Sequence, residues 1–555
     1  MENIMQAKQY ETAELSYKGP EPTQSEVAVS LEATFVHALG EVRVKGFYAG
    51  NGMYKVRFLP ERTGTYRYSV SGHALPQPVK GTVEVSSADT RHCGLVRAEG
   101  THLRYADGTD FHSFGTTVYA LAHQSDALIE ETLQSLAAAP FNKIRTCLFP
   151  KHYNYNFNEP PCYPFRPKAG TPEKEFNARE FSIFPEKRVQ PDAYWDVHHP
   201  DFAFWDRFEK ILLRLQEMGL EVDLILFHPY DRWGFSNLTR EDNLIYLDYL
   251  LRRFSAFPNL WWSLANEYDL CFNKTAQDWE AIEAFVAEND PYHHLLSNHN
   301  CFRMWDAGRE NITHVSWQTG QHYRVAELMR RYGKPVLIDE CRYEGNVPEF
   351  WGNLSGQDMT RKFWRVTAQG GYCTHGETYL PGTAQAEGAT RTDEEDVVWW
   401  AKGGVLQGES PSRISFLRGI IESLPGPLEP MNGMGDFFGK NDEEMGETLR
   451  ATPEEMRPFF SAIAAMDRRE RDFFFADQFT YAGHFGDEAF LYYLDDQCCA
   501  RFDCEFPESD SYRVEVIDTW EMTRQTVSEN ARGKTSVKLP GKPFMAVLAV
   551  RRTRK

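Results

Sequence analysis

From about residue 110 the chain repeats one pattern, a short apolar run followed by an amphipathic helix. This repeat is typical of parallel βαβ units, in which a helix covers each buried strand. Eight apolar runs can be counted, at residues 113–119, 142–149, 222–228, 259–265, 294–299, 313–318, 335–340 and 371–377. Eight such units predict a (β/α)₈ barrel, in which functional side chains stand at the carboxyl ends of the strands.

Two of the intervening helices have clear sequence signatures. Over residues 201–219, apolar residues such as Trp205 and Phe208 recur at three- and four-residue spacing, which places them on one helical face. A second helix begins where Thr239 and Asp242 have the spacing of a capping box. Both helices are expected to pack against the barrel strands.

The segments on either side of the barrel have strand periodicity. Residues 26–85 alternate apolar and polar side chains, and the runs 512–516 and 544–550 have the character of buried strands. A helix is predicted to open at residues 452–455 (TPEE), before these last strands. A chain this long exceeds one hydrophobic core, so we expect a multidomain protein with β-sandwiches flanking the barrel. The expected boundaries are an N-terminal β-sandwich at 1–92, the barrel at 93–425 and a C-terminal β-sandwich at 426–555.

Charge and hydropathy exclude several classes of partner. The chain has 80 acidic and 60 basic residues, and its formal charge of -20 repels nucleic acid and anionic membranes. The sequence has no apolar segment long enough to span a bilayer and no signal-like N-terminus. The ten cysteines have no disulfide or zinc spacing, so a cytoplasmic protein with reduced thiols is expected. The oligomeric state is left open, a homo-oligomer included.

A long segment between the second apolar run and its helix is rich in aromatic residues. It covers residues 150–200 and contains, among others, Tyr153, Phe165 and Trp195. Segments of this length are usually functional or disordered, and aromatic residues at this density can bury enough surface to order the chain. We expect this insertion to cap the pocket of the barrel.

Polar side chains terminate or follow most of the eight runs, where a barrel places its chemistry. They are Arg145, His228, Asn266, Glu267, His322, Tyr323, Glu340, His375 and Glu377. Glu267 follows the fourth run and Glu340 ends the seventh, so their carboxylates are expected to face one central cavity. An acidic residue at the end of a buried strand is costly unless it is used or paired.

Two facing carboxylates are what cleavage of a glycosidic bond requires. One must be protonated to donate to the leaving oxygen, and the other must be ionised. A separation of about 5 to 5.5 Å gives retention of configuration, and about 6.5 to 9.5 Å gives inversion. Arg145 is expected to keep Glu340 ionised, and the charge of Glu340 is expected to raise the pKa of Glu267.

These strand ends resemble those of clan A glycoside hydrolases close to family 5. The matching residues are Arg145 after strand two, His228 after strand three, Asn266-Glu267 after strand four, His322-Tyr323 after strand six and Glu340 at strand seven. Within the clan, the segment 224–231 (LILFHPYD) is similar to bacterial apiosidase-type barrels with an N-terminal β-sandwich, of the DUF5060, DUF4038 and DUF5605 arrangement. The resemblance covers the barrel and, more loosely, both flanking domains.

The resemblance implies a retaining glycoside hydrolase that acts on oligosaccharides or polysaccharide side chains. By this resemblance Glu267 is the general acid/base, Glu340 is the nucleophile, Asn266 binds the substrate 2-hydroxyl and Tyr323 hydrogen-bonds the nucleophile. The other strand-end residues, Arg145, His228, His322, His375 and Glu377, are expected to bind substrate. Family 5 commonly has a Trp just after strand eight, whereas this run ends in His375-Gly376-Glu377, so the sequence departs from the family pattern at this position.

Several of these residues have structural alternatives. His228 could satisfy backbone groups at the barrel mouth, and Arg145 could form a structural ion pair. Trp399 and Trp400 are candidates either for stacking on sugar faces or for core packing.

Two other functions remain open at this stage. One is a carbohydrate-binding protein on a barrel that has lost catalysis, although the presence of both carboxylates argues against it. The other is a metal-dependent hydrolase that uses His228, His375 and Glu377. The first run lacks the His-x-His pair that metal-dependent barrels often carry there, so no metal and no cofactor are expected.

Overall fold

The computed structural model describes residues 3–89, 93–153, 155–171, 194–380, 397–431, 442–476 and 480–552. Within these ranges a central barrel of parallel strands lies between N-terminal and C-terminal β-rich regions, which confirms the predicted fold class. No helix in the described part of the chain is both long enough and apolar enough to cross a membrane.

Two sheets form the N-terminal region. Its strands are β1 (Asn3–Lys8), β2 (Ala13–Lys18), β3 (Leu31–His37), β4 (Gly40–Lys45), β5 (Phe47–Tyr48), β6 (Met53–Phe58), β7 (Gly64–Gly72) and β8 (Val79–Ser86). One sheet has the order β1-β8-β7-β3-β4 and the other the order β2-β6-β5. Alternate residues of β3 are buried, and Phe35 stacks on Phe58 of the other sheet with ring centroids 4.1 Å apart. Period-two burial therefore holds the two sheets face to face.

A short hairpin, β9 (Val96–Glu99) and β10 (His102–Tyr105), leads into the barrel. Leu103 of the hairpin and Phe111 pack with Trp261 and Leu337, which stand near the starts of two barrel strands. The hairpin thus covers the amino-terminal end of the barrel, so the opposite end is left for a site.

The barrel strands overlap all eight predicted runs. They are β11 (Phe114–Thr117), β12 (Lys143–Cys147), β15 (Glu221–Phe227), β16 (Leu260–Ala265), β17 (Leu296–Ser297), β18 (Val315–Gln318), β19 (Val336–Glu340) and β21 (Tyr372–His375). Neighbours are parallel in the order β17-β16-β15-β12-β11-β21-β19-β18. Strands β17 and β18 are joined through the amide of Thr313, which donates to the Leu296 carbonyl at 2.9 Å.

Helices cover the strands from outside. They are α1 (Asp126–Ala138), α2 (Phe202–Glu217), α3 (Arg240–Phe254), α4 (Ala276–Asn289), α5 (Val325–Tyr332), α6 (Gly356–Thr367), α7 (Trp399–Lys402) and α8 (Ser410–Glu422). The predicted helix over 201–219 is α2, which buries Trp205 and Phe208. The capping box of Thr239 and Asp242 is present at the start of α3. Both helical predictions are confirmed.

Part of the aromatic insertion is described. It contains the antiparallel strands β13 (Phe165–Pro167) and β14 (Trp195–Pro200). Trp195 stacks on Phe235 with centroids 4.7 Å apart, and its indole N–H donates to the Trp233 carbonyl at 2.7 Å. These aromatic residues pack against the barrel, while residues 154 and 172–193 of the insertion lie outside the described ranges.

The C-terminal region differs from a simple sandwich because helices precede its strands. It contains β23 (Glu429–Pro430), α9 (Asp442–Ala451), α10 (Arg457–Ala464), α11 (Arg468–Ala476), β24 (Tyr481–Phe485), β25 (Ala489–Tyr493), β26 (Arg501–Glu505), β27 (Tyr512–Asp518), β28 (Thr523–Ala531), β29 (Lys534–Lys538) and β30 (Met545–Arg551). The main sheet has the order β23-β24-β25-β30-β27-β28, and β26 pairs with β29. Arg361 of α6 binds Asp495 through two 3.0 Å contacts and so ties this region to the barrel.

Candidate active site

A cavity of about 480 Å³ lies at the carboxyl ends of the barrel strands. Glu267, which follows β16, and Glu340, which ends β19, both line it. Many of the other lining residues are aromatic: Tyr153, Tyr230, Phe302, Tyr343, Phe350, Trp351 and Trp400. A concave site of this volume with a few convergent polar groups is typical of small-ligand binding.

Glu267 occupies an unusual backbone conformation at the mouth of the barrel. Its φ of 55° and ψ of 57° lie in the left-handed region, which residues with a side chain rarely adopt. Its Oε2 atom accepts hydrogen bonds from the Tyr230 hydroxyl and, at 3.2 Å, from the Asn266 amide. The side chain is only 6% exposed, and strain at such a buried polar position is characteristic of functional sites.

Glu340 is surrounded by hydrogen-bonding groups from other strand ends. The Tyr119 hydroxyl lies 3.1 Å from its Oε2 atom, and Nε2 of His299 lies 3.3 Å from the same oxygen. Tyr343 also hydrogen-bonds this carboxylate. Three protein groups thus converge on one carboxylate that faces the cavity.

The two carboxyl groups have opposite electrostatic environments. Burial and the negative charge of Glu340 raise the pKa of Glu267. Burial would also raise the pKa of Glu340, but the hydrogen bond and charge of His299, together with Tyr343 and Arg145, lower it to about 2. One carboxyl therefore favours its proton and the other favours its charge, which is the pattern of an acid/base pair.

Buried charges fill the barrel interior behind Glu340. Lys143 pairs with Asp339 at 2.6 Å, and Nε of Arg145 lies 3.3 Å from Asp223. Arg145 also donates to the Asp339 carbonyl at 3.3 Å. The sequence predicts that Arg145 binds substrate, but the structure places it among these interior charges and not in the cavity lining. Its charge still acts on Glu340, as the sequence predicts.

An ammonium group lies among aromatic rings in the cavity. The Nζ atom of Lys151 is 3.4 Å from the ring centroid of Tyr119, 4.4 Å from that of Tyr230 and 4.9 Å from that of Trp400. Burial lowers the pKa of Lys151 to about 8. Cation–π contacts of this kind stabilise a desolvated ammonium.

The two tryptophans after strand eight have different positions. Trp400 lines the cavity and packs against Trp351 with centroids 5.0 Å apart. The indole N–H of Trp399 donates to Oγ1 of Thr116 on β11 at 3.0 Å, inside the core. Of the two predicted roles, stacking on a sugar is therefore available to Trp400, whereas Trp399 is packed in the core.

Two residues predicted to bind substrate, His228 and His322, and Tyr323, which is predicted to hydrogen-bond the nucleophile, lie outside the cavity lining. Nε2 of His228 is 3.2 Å from the Phe149 carbonyl. His322 is buried under α6, where the side chain of Gln369 donates to its carbonyl at 3.0 Å. Tyr323 lies in the same 3₁₀ turn, residues 322–324, and packs partly against the barrel core.

His375 and Glu377 belong to a buried cluster with Glu344, also outside the cavity lining. Glu344 and Glu377 are paired across the short parallel strands β20 (Glu344–Gly345) and β22 (Glu377–Thr378). Ligand atoms of the three side chains lie within 4.8 Å of one another, close enough for a metal ion. However, the carboxylates accept backbone N–H groups of residues 407–410, where α8 begins. A helix N-terminus stabilises anions, but burial and the charge of Glu344 outweigh these hydrogen bonds at Glu377 and raise its pKa to about 7.

Sequence reasoning missed five residues around the two carboxylates: Tyr119, Lys151, Tyr230, His299 and Tyr343. Tyr119 and His299 are the last residues of two predicted runs, so the rule that located Glu340 could have located them. The other three lie in loops, where nothing in the spacing distinguishes them. Their positions depend on how the loops fold over the barrel.

Comparison with known proteins agrees with this geometry. The family model for the apiosidase-like catalytic domain matches residues 97–425, and two domains of unknown function, DUF5060 and DUF5605, match residues 6–73 and 478–550. A comparison with curated protein sequences gave no match.

Solved structures give the same assignment. A candidate glycoside hydrolase from Bacteroides vulgatus ATCC 8482 is 31% identical, with a TM-score of 0.79 over 99% of this chain and 100% of that one. A family 5 glycoside hydrolase from the same organism is 14% identical, with a TM-score of 0.55 over 83% of this chain and 93% of that one, and it shares the fold. The chain therefore belongs to the apiosidase-like family and is an O-glycosyl hydrolase.

Proposed function

We propose that this protein is a retaining glycosidase in which Glu267 is the general acid/base and Glu340 is the nucleophile. The observation that carries the assignment of a proton donor and an ionised carboxylate is that both groups line one cavity with their pKa values displaced in opposite directions. Double displacement is what the resemblance to clan A glycoside hydrolases implies. Double displacement needs a protonated carboxyl at the leaving oxygen and an ionised carboxylate at the anomeric carbon. The raised pKa of Glu267 favours its protonated form, and the lowered pKa of Glu340 favours its ionised form.

In the first step a carboxylate oxygen of Glu340 attacks the anomeric carbon while Glu267 protonates the departing oxygen. The products are a glycosyl ester on Glu340 and the free leaving group. Ester formation removes the negative charge of Glu340, which had raised the pKa of Glu267. Glu267 is then better suited to take a proton from the water that hydrolyses the ester.

The contacts of Asn266 support its predicted role at the substrate 2-hydroxyl. Its amide nitrogen is 3.2 Å from Glu267, and its amide oxygen accepts from Tyr119 at 2.8 Å. These two bonds fix the side chain between the acid/base and the nucleophile. A sugar held between the two carboxylates would present its ring substituents to this amide.

The substrate class we propose is a terminal sugar on an oligosaccharide or polysaccharide side chain. The cavity is walled by Trp351, Trp400 and Phe350, whose rings suit the apolar faces of a sugar. A volume of about 480 Å³ is small for a long polysaccharide segment. The family name makes an apioside the first substrate to test.

The experiment is a comparison of isosteric variants on activated aryl glycosides, an aryl apioside among them. Glu340→Gln should lower kcat/KM by about 10³-fold or more on these substrates. Glu267→Gln should lower kcat/KM by about 10²- to 10⁴-fold on a glycoside whose leaving group needs a proton, and on an activated aryl glycoside it should lower mainly kcat, because ester hydrolysis then lacks its general base. The matched control is Glu221→Gln, because Glu221 is also buried in the barrel but binds Trp261 at 2.9 Å, far from the cavity lining. Wild-type turnover by Glu340→Gln would overturn the proposal.

A further inference from the structure

Four side chains connect the charged barrel interior to the nucleophile. Oγ of Ser316 lies 2.5 Å from Oδ2 of Asp339 and 3.2 Å from Nδ1 of His299. The other ring nitrogen of His299, Nε2, lies 3.3 Å from Oε2 of Glu340. The imidazole therefore bridges a serine hydroxyl and the nucleophile.

The direction of the hydrogen bond between Ser316 and Asp339 follows from the charge of Asp339. Its other oxygen accepts from Lys143 at 2.6 Å and from Thr374 at 3.0 Å. Although burial raises the pKa of Asp339, the charges of Lys143 and Arg145 lower it far below its usual value. Asp339 is thus an acceptor only, and an O···O distance of 2.5 Å requires that Ser316 donate its proton.

The serine proton fixes the protonation of the histidine. A hydroxyl has one proton, so Oγ of Ser316 can only accept from Nδ1 of His299. A neutral His299 with its proton on Nδ1 would present a lone pair to Oε2 of Glu340. Independently of His299, the hydrogen bond from Tyr343 and the charge of Arg145 favour the ionised form of Glu340. Two acceptors at 3.3 Å repel each other when Glu340 is ionised, so the ring needs a second proton on Nε2.

We propose that His299 is a positioning residue that is doubly protonated in the resting enzyme, donating Nδ1–H to Ser316 and Nε2–H to Glu340. The proposal rests on the proposed function because it assigns the imidazolium to the nucleophile of the double displacement. Its electrostatic effect is to hold Glu340 ionised and fixed in direction beside a second carboxyl.

The charge of His299 has to be considered with all the ionisable groups around it. The charge of His299 acts on four carboxyls, those of Glu340, Glu267, Asp339 and Asp223. Three cations, Lys143, Arg145 and Lys151, act on the same carboxyls. The carboxylates of Glu340 and Asp339 lie at opposite ends of the chain of contacts through the ring. An imidazolium between two carboxylates is electrostatically favourable.

The imidazolium also has a use after the first step. When Glu340 becomes an ester, its negative charge is lost while Asp339 stays ionised. The Nε2–H of His299 can then donate to the ester oxygen that becomes the leaving carboxylate in the second step. A donor placed where negative charge develops stabilises that transition state.

Neutron diffraction from unliganded wild-type crystals equilibrated in heavy water at neutral pH tests the protonation directly. The proposal expects deuterium on both ring nitrogens of His299 and none on Glu340. Deuterium on one ring nitrogen only, with or without deuterium on Glu340, would overturn it. This result does not depend on turnover, so it stands apart from a failure of the proposed function, which Glu340→Gln would reveal.

A pH profile of His299→Gln gives a second test. Glutamine can donate a neutral N–H to Glu340, but it carries no charge, so the acid limb of kcat/KM should move up by about one pH unit or more. The plateau should fall about 10-fold or less, because the hydrogen bond is kept. The matched control is His314→Gln. His314 is buried outside the cavity lining, and its Nδ1 atom is 2.9 Å from Oγ1 of Thr313. An acid limb that stays at the wild-type position in His299→Gln would mean a merely structural histidine.

Discussion

The Tyr119 hydroxyl lies 3.1 Å from Oε2 of Glu340. The hydroxyl oxygen of Tyr119 is also 2.8 Å from the amide oxygen of Asn266, so this one side chain connects the ends of β16 and β19. A hydroxyl has a single proton, and both neighbours are acceptors. Tyr119 can therefore donate its proton either to Asn266 or to Glu340, depending on the charge of Glu340.

Removal of this hydroxyl should slow the reaction without unfolding the protein. In Tyr119→Phe we expect kcat to fall about 10- to 100-fold, because a hydrogen bond to a charged group is lost. The control is Tyr249→Phe, whose hydroxyl donates to the Tyr48 carbonyl at 3.1 Å away from the cavity. Steady-state kinetics and thermal melts of both variants check the prediction. An equal loss in the two variants would mean that the effect is not local to Glu340.

Lys151 should control the basic limb of the pH profile. Its positive charge lowers the pKa of Glu267, which must be protonated to act as an acid. Lys151→Met removes that charge and keeps the volume, so the pKa of Glu267 should rise and the basic limb of kcat/KM should move to higher pH. The profile of each variant is measured with one aryl glycoside.

Lys274→Met is the matched control, because Nζ of Lys274 also lies over an aromatic ring, 5.4 Å from the centroid of Phe227, but outside the cavity lining. Its profile should match the wild type. A basic limb that moves down in Lys151→Met would show that the ammonium does not act on Glu267 as described.

Arg57 should be important for stability, since it joins the N-terminal sheets to the barrel. Its guanidinium, 4% exposed, binds Glu209 at 2.6 Å, Glu14 at 2.9 Å and the Arg253 carbonyl at 2.7 Å. Arg57→Met should lower the free energy of unfolding by about 2 kcal/mol, because it removes three contacts of a buried guanidinium, although Glu209 keeps Arg253 and Glu14 keeps Lys55 as a partner. Arg43→Met is the control, with a side chain that is 76% exposed, and should change stability by about 0.5 kcal/mol or less.

The effect of Arg57 should also depend on pH. Burial raises the pKa of Glu209, but the charges of Arg57 and Arg253 lower it overall. A carboxyl whose folded pKa is below its unfolded value adds stability above the unfolded pKa and loses it as pH falls through the folded pKa. The difference between wild type and Arg57→Met should thus be largest near neutrality and shrink below about pH 4. A difference that grows in acid would contradict this assignment.

Chelation tests the cluster of Glu344, His375 and Glu377. Because Glu344 and Glu377 each already accept two backbone N–H groups, we expect dialysis against a strong chelator to leave kcat/KM and the melting temperature unchanged. Metal analysis of the untreated enzyme completes the test. A loss of activity restored by one divalent cation would show that this cluster, or another site, holds a metal.

The barrel could be predicted from the sequence because each strand is buried on both sides and therefore appears as an apolar run. All eight runs overlap strands. The capping box at Thr239 predicts where α3 begins, and the apolar face of residues 201–219 predicts α2. In the C-terminal region, the helix predicted to open at residues 452–455 corresponds to α10 (Arg457–Ala464), whereas the sequence pattern does not indicate α9 and α11.

The site was predictable only in part. Glu267 and Glu340 end buried strands, so their meeting follows from the barrel alone. Whether a strand-end side chain faces the cavity or the helices depends on the last turn of the backbone. The side chains of His228 and His375 contact groups outside the cavity lining. His322 is buried under α6, where Gln369 binds its carbonyl. Lys151 and Tyr343 enter from loops, whose course the sequence pattern does not define.

The most direct measurement of the central claim is the anomeric configuration of the first-formed product. Proton NMR, recorded during hydrolysis of the best aryl glycoside before mutarotation, reads it without any variant. The double displacement at Glu340 predicts that the product has the same configuration as the substrate. A product of inverted configuration would contradict the account, because water would then have attacked the anomeric carbon directly.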